Sequence, residues 1–146
     1  MLSWDDVVTR IVVDTSVFIS ALIGPAGPSR ELVRRCLQGQ YQPLMGNALF
    51  CEYESIVGRP HILAQCPLSQ NEILTLMHAL MSVSKWISIY YLWRPNLKDE
   101  ADNHLIELAV AGNAQVIATN NVRDFQNAEL LFPDLSILKP EEIIRR

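Results

Sequence analysis

The stretch Arg10-Ile11-Val12-Val13-Asp14 decides how the rest of the chain is read. Ile11, Val12 and Val13 are β-branched and do not alternate with polar residues, which marks a short strand buried on both faces. An acid closes it. Thr15 to Ile23 then turns helical, until Gly24-Pro25-Ala26-Gly27-Pro28 breaks the helix. The same alternation recurs outward from this unit. Ser29 is expected to cap a helix over about 30–38 that Gly39 ends. Tyr41 to Met45 reads as a strand, and Asn47 as the cap of a helix to Val57 closed by Gly58-Arg59-Pro60. Ser69 followed by Glu72 is a capping box opening a long apolar helix to about Ser82. Trp86 to Leu92 reads as a strand or edge segment, and Lys98-Asp99-Glu100 begins a helix through Ala111 stopped by Gly112. Ala114 to Thr119 is a further strand, Asn120 to Asn127 a polar loop, and Leu135 to Leu138 a last strand before a final helical turn. Strands alternating with helices predict an α/β domain with a largely parallel sheet and helices on both faces.

The 146 residues suit a single domain over residues 1–146, and 49% hydrophobic with 19% charged residues is a globular composition. No apolar run reaches the ~18 residues of a membrane helix. Met1 to Arg10 carries Asp5 and Asp6 without an apolar stretch, so no signal peptide is expected. Cys36, Cys51 and Cys66 are an odd count without a CxxC pair, which fits reduced thiols in a cytoplasmic protein and neither a disulfide framework nor a zinc site. The net charge of -4 counts against non-specific nucleic-acid binding, unless several acids belong to a site that cations neutralise.

Sites in open α/β sheets lie beyond the carboxyl ends of the strands. Asp14 follows the first strand there, either as a helix cap, as a functional acid, or as both. On a helix through 101–111, Ala101, Leu105, Leu108 and Ala109 form the apolar stripe. Asp102 falls inside that stripe, while Glu100 and Glu107 point away. A carboxylate facing a core needs a partner, hydrogen bonds or a cation, although a first-turn acid is also favoured by the helix dipole, with Asp99 as the cap. Glu52 and Glu54 lie on opposite edges of the apolar face Leu49, Phe50, Tyr53, Ile56 and Val57, so periodicity does not choose between them. The loop Thr119-Asn120-Asn121-Val122-Arg123-Asp124 leaves a probable central strand. Asp14, Asp102, Asp124 and one of the two glutamates are thus expected to converge at one end of the sheet. Clustered carboxylates repel unless a divalent cation joins them, and hard oxygen donors select Mg²⁺ or Mn²⁺.

Four segments in order resemble the PIN-domain family, and specifically its VapC-like toxin branch. They are residues 11–22 (IVVDTSVFISAL), 51–60 (CEYESIVGRP), 99–109 (DEADNHLIELA) and 116–125 (VIATNNVRDF). The resemblance implies a three-layer α/β/α sandwich and Mg²⁺- or Mn²⁺-dependent cleavage of single-stranded RNA. It also implies an antitoxin protein as partner and a tendency to form homodimers. Carried over by position, Asp14, Glu52 and Asp102 match the family's first three acids, which favours Glu52 over Glu54. Asp99 is auxiliary, and Thr15, Ser16 and Thr119 match small polar positions that hold the carboxylates. The fourth acid departs from the common Thr-Gly-Asp run, since Thr119-Asn120-Asn121 stands there. Asn121 or Asp124 is then expected to complete the shell.

Arg30, Arg34, Arg35, Arg59 and Arg123 are candidate phosphate contacts, each also readable as a solvated surface arginine. Tyr91 and Trp93 are candidates to stack bases or to pack in the core. His61, His78 and His104 lack metal-binding spacing and are expected to be structural or surface residues. A receiver-type domain would need a second acid beside Asp14, a haloacid-dehalogenase-type phosphatase would need Asp-x-Asp there, and no Gly-rich phosphate loop is present. The remaining rival is a PIN fold that has lost catalysis and serves as a binding module, for which Asn121 is the sequence support.

Overall fold

The computed structural model describes residues 8–24, 27–89, 103–125 and 132–145. In chain order they form β1 (Thr9–Val13), α1 (Thr15–Ile23), α2 (Pro28–Leu37), β2 (Tyr41–Met45), α3 (Asn47–Val57), α4 (Pro60–Gln65), α5 (Gln70–Val83) and β3 (Lys85–Trp86). These are followed by α6 (Asn103–Ala111), β4 (Val116–Ala118), a 3₁₀ turn (Val122–Phe125), β5 (Ser136–Leu138) and α7 (Pro140–Ile144). The five strands pair in the order β3-β2-β1-β4-β5, every pair parallel. The expected α/β class with a parallel central sheet is therefore what the chain adopts.

Strand order fixes where a site belongs. The chain moves from β1 to β2 and β3 in one direction, then returns to lay β4 on the other side of β1. Right-handed crossovers place the helices of the two directions on opposite faces. In keeping with this, α2 and α5 pack against β2, whereas α6 packs across β1, β2 and β4. The reversal between β1 and β4 opens a crevice at their carboxyl ends. Asp14 and Thr119 are the residues that follow those two strand ends.

The core explains why these segments hold. Ile11, Val12 and Ile117 are fully buried, as the unalternating apolar runs of β1 and β4 require. Phe18 from α1 meets Tyr53 from α3 edge-on, with ring centroids 5.0 Å apart. Along α5, Ile73, Met77 and Leu80 are buried, and Leu74, Leu76 and Met81 pack against the core from its margin. The apolar second side of this helix is thus partly buried and partly exposed.

Several local expectations shift. Helix α2 starts at Pro28 with Gly27 as its cap residue, and Ser29 makes no cap bond because it sits one residue inside the helix. Pro at a first helical position is well tolerated, since its missing N–H has no acceptor there. The same rule explains α4, which the sequence reading left as a helix end: Pro60 starts a short new helix that buries Ile62. Asn47 likewise opens α3 from inside, with Gly46 as cap. The Ser69–Glu72 capping box forms in full. Gly39 adopts φ +83° directly after α2, as a glycine stop should. The polar loop after β4 contains the 3₁₀ turn, which buries Phe125.

Gly112, at the end of α6, is a close-approach position. A Cβ there would lie 2.5 Å from Cδ1 of Leu44 and 3.1 Å from Cγ1 of Ile87. Leu44 is 1% exposed, so its side chain must shift within the packed core. Gly112→Ala is expected to lower stability by ~1–3 kcal/mol through overpacking, more than the ~1 kcal/mol that alanine contributes to helix propensity. Urea denaturation measures this, and an unchanged midpoint would refute it.

Candidate active site

Asp14 occupies the N-cap position of α1, yet its side chain makes no cap hydrogen bond. It is 5% exposed and turned into the crevice between β1 and β4. There its Oδ2 accepts hydrogen bonds from Thr119 Oγ1 at 2.7 Å and Ser16 Oγ at 3.0 Å. Thr119 is fully buried, and its hydroxyl also accepts the backbone N–H of Asn121 at 3.0 Å, which leaves its proton for Asp14. The Asp14 backbone N–H is held by the carbonyl of Ala118 at 3.0 Å. A buried carboxylate needs such donors. The position is built from both sides of the strand reversal, through residues more than one hundred positions apart in sequence.

Glu52 comes from the middle of α3. Its side chain is 37% exposed, and Oε1 lies 2.7 Å from Nε2 of His104 on α6. Thr15 Oγ1 stands between the two acids, 3.4 Å from Asp14 Oδ1 and 3.4 Å from Glu52 Oε2. A hydroxyl has one proton, so it donates to one of these oxygens at a time. Asp14 Oδ1 and Glu52 Oε2 are therefore the under-supplied oxygens of the pair, and they face the same hydroxyl.

Tyr53 supports both acids from below. Its hydroxyl donates to the carbonyl of Val13 at 2.6 Å, tying α3 to the end of β1. Burial first, and then the neighbouring acidic groups Asp14, Cys36 and Glu52, hold the phenol well above its ordinary pKa, so it remains a donor. Cys36 is buried and its thiol is pushed up to about 12, which makes it inert packing. All three cysteines are free thiols.

The structure brings Asp14, Thr15, Ser16, Glu52 and Thr119 together at the strand ends. Asp102 and Asp99 lie outside the described residues, as do Tyr91 and Trp93. Asp124 and Asn121 belong to the turn after β4, where the Asp124 N–H is bonded to the Asn121 carbonyl at 3.0 Å. Among the described residues no three His, Cys, Asp or Glu side chains form a metal-holding group. Glu54 is exposed on the opposite edge of α3.

The arginines are distributed differently. Arg30 Nε donates to the Ala21 carbonyl at 3.0 Å, which fastens α2 to α1. Arg34 and Arg35 both pair with Glu31. Arg59 donates to Ser55 Oγ at 3.0 Å, and Ser55 in turn donates to the Glu52 carbonyl at 2.8 Å. Arg59, the N-cap residue of α4, thus reaches back to the last turns of the helix that carries Glu52, and Arg123 is exposed in the turn after Thr119.

Two residues differ from the sequence reading. His104 was expected to be structural or a surface residue, but it is the direct partner of Glu52. Its place on the helix held the clue: Leu108, four residues on, belongs to the buried stripe, so His104 lies on the same side. Glu107 was expected to point away from that stripe, yet it is 4% exposed. Because α6 packs on three strands and on α3, more than one face of it is enclosed.

No curated protein matches the chain. The carboxyl-end acids, the all-parallel sheet and the position of the crevice agree with a match to the PIN domain over residues 10–123, and the chain belongs to the PIN-domain family, whose members are generally nucleases.

Proposed function

We propose that this protein is an endoribonuclease that cleaves single-stranded RNA with Mg²⁺ or Mn²⁺, acting in the cytoplasm as the toxin of a VapC-like toxin–antitoxin pair. The observation that carries the nuclease reading is the pairing of Asp14 with Glu52 across the single Thr15 hydroxyl at the strand reversal. PIN-domain nucleases generally use divalent metals and act on RNA. The donors fit that chemistry: the facing atoms are carboxylate oxygens with one proton between them, and a hard cation favours such ligands. Asp14, Glu52 and Asp102 would hold the cation, with Asp124 or Asn121 completing the shell. When bound, it would lower the pKa of a water and neutralise developing phosphoryl charge.

The chain's own residues supply the rest. Thr119 and Ser16 fix one oxygen of Asp14 and leave the other directed at Thr15. His104 fixes Oε1 of Glu52, which leaves Oε2 to orient a water or accept its proton. Arg59 and Arg123, both exposed, are the candidates to meet phosphates flanking the cut. The products expected from this route are a 5′-phosphate and a 3′-hydroxyl. The antitoxin and the homodimer belong to the same proposal, and rest on the toxin-branch resemblance.

A second reading, a PIN-fold module without catalysis, is favoured by the neutral Asn121 alone. The test is incubation of the purified protein with a mixed single-stranded RNA pool, with Mn²⁺ or Mg²⁺ and then with EDTA. Cleavage that EDTA abolishes and metal restores is expected. Intact RNA from every pool, with the protein folded, would sink the nuclease reading and favour the binding module.

A further inference from the structure

We propose that the cavity between the first turn of α3, the segment 86–89 and α6 is a nucleobase subsite, in which Trp86 stacks a base of the RNA beside the cut. This inference rests on the nuclease reading above and names where that substrate is held. The cavity has a volume of about 350 Å³ and is lined by Asn47, Ala48, Trp86, Ile87, His104 and Glu107, among others. That lies at the small end of the ~300–1,000 Å³ range of ligand pockets.

Three observations point to a base. The first is Trp86 itself. Among the described residues Trp86 is the large apolar residue that stands exposed, at 47%, where the others are buried or partly buried. It is also held in place, because Phe50 packs edge-on against it with centroids 5.4 Å apart. A pre-oriented, half-exposed aromatic face is what base stacking uses. The second is the lining: Asn47, Ser88, His104 and Glu107 add hydrogen-bonding groups to an aliphatic wall of Ala48, Ile87 and Ile89. Flat aromatic rings with polar edges suit such a mixture, as single-stranded RNA bases are commonly bound. The third is continuity with the site. His104 lines this cavity and also lies 2.7 Å from Glu52 Oε1. Ala48 and Glu52 are one helical turn apart on α3. A nucleotide reaching Glu52 is therefore a neighbour of the Trp86 cavity.

Charge strengthens the case. With a net charge of -4 the chain gains little from general attraction to phosphates. Stacking is the sequence-tolerant contact least dependent on such attraction.

The experiment uses the full chain carrying Asp14→Asn, which blocks cleavage, with and without Trp86→Ala or Trp86→Phe. Binding of a labelled random-sequence single-stranded RNA 12-mer is measured in Mg²⁺. Trp86→Ala is expected to weaken binding about 10-fold, within the range of one lost stacking contact, and Trp86→Phe to recover most of it. In chains with Asp14 intact, the loss should fall on KM more than on kcat. Thermal melting checks that each variant is folded. Equal binding and equal KM in the Trp86→Ala chain would overturn the subsite while leaving the nuclease intact. Trp86-dependent binding, with no cleavage by the chain that keeps Asp14, would support the subsite and overturn the nuclease. Absence of RNA binding by the Asp14→Asn chain with Trp86 in place would overturn the subsite.

Discussion

Asp14→Asn is expected to reduce metal-dependent RNA cleavage by more than about 100-fold, with the fold intact. The lower bound comes from comparison: removing a group that only orients a metal ligand typically costs 10–100-fold, and Asp14 is proposed as a ligand itself. The substitution keeps shape and volume but removes a charge and one acceptor. Its environment is built for a carboxylate. Thr119 and Ser16 both donate to Oδ2, and Thr15 stands at Oδ1. An asparagine can place its carbonyl oxygen toward the first pair, but its NH₂ then faces Thr15 and the under-supplied oxygen of Glu52. The two acids would be replaced by an acid and a donor, which pair with each other and hold a cation less strongly. Relief of repulsion between the two carboxylates works in the other direction, so stability should hold or rise slightly. Cleavage rate and thermal melting on the same preparation separate the outcomes. Cleavage at the parental rate would remove Asp14 from the site, whatever its place in the fold.

Much of this was legible from short stretches of sequence. The run Ile11-Val12-Val13 identified the central strand because burial on both faces leaves no polar alternation. Asp14 was legible by position, since the end of that strand opens on the crevice. What remained open was how its side chain is used, because a cap and a site acid look alike in sequence. The absence of any side-chain cap bond on α1, together with the bond from Thr119, shows the carboxylate used across the sheet as well as by Ser16 of its own helix. The choice between Glu52 and Glu54 was invisible to periodicity, as both flank one apolar face. The family resemblance favoured Glu52, and in the fold the long-range partners Thr15 and His104 distinguish it, contacts that have no local signal. Helix starts were missed by a residue or two where proline and glycine, not a side-chain cap, set the boundary. The helix at Pro60 was missed because proline was read as an ending when it was a beginning.

Phe18→Ala should be the most destabilising of the substitutions considered, by ~3–5 kcal/mol, the range for emptying a buried phenylalanine site. Phe18 is fully buried on α1, and its ring stands 5.0 Å from that of Tyr53 at an interplanar angle of 71°. Edge-on aromatic pairs add ~0.5–1.5 kcal/mol beyond simple burial, and alanine forfeits both contributions. The consequence reaches the site through geometry. Phe18 sits one helical turn beyond Asp14, and Tyr53 is the neighbour of Glu52. The Phe18–Tyr53 contact is thus the apolar strut that sets the distance between the two acids, while the Tyr53 hydroxyl anchors the same helix to Val13. Tyr53→Phe removes that anchor alone and should cost less, ~1–3 kcal/mol for the buried carbonyl left without its donor. Phe18→Ala and Tyr53→Ala each remove the ring contact, so their effects should not add; a double-mutant cycle in urea should give a coupling of ~0.5–3 kcal/mol. Strict additivity would mean that the two rings support the fold separately, and that the spacing of Asp14 and Glu52 is set elsewhere.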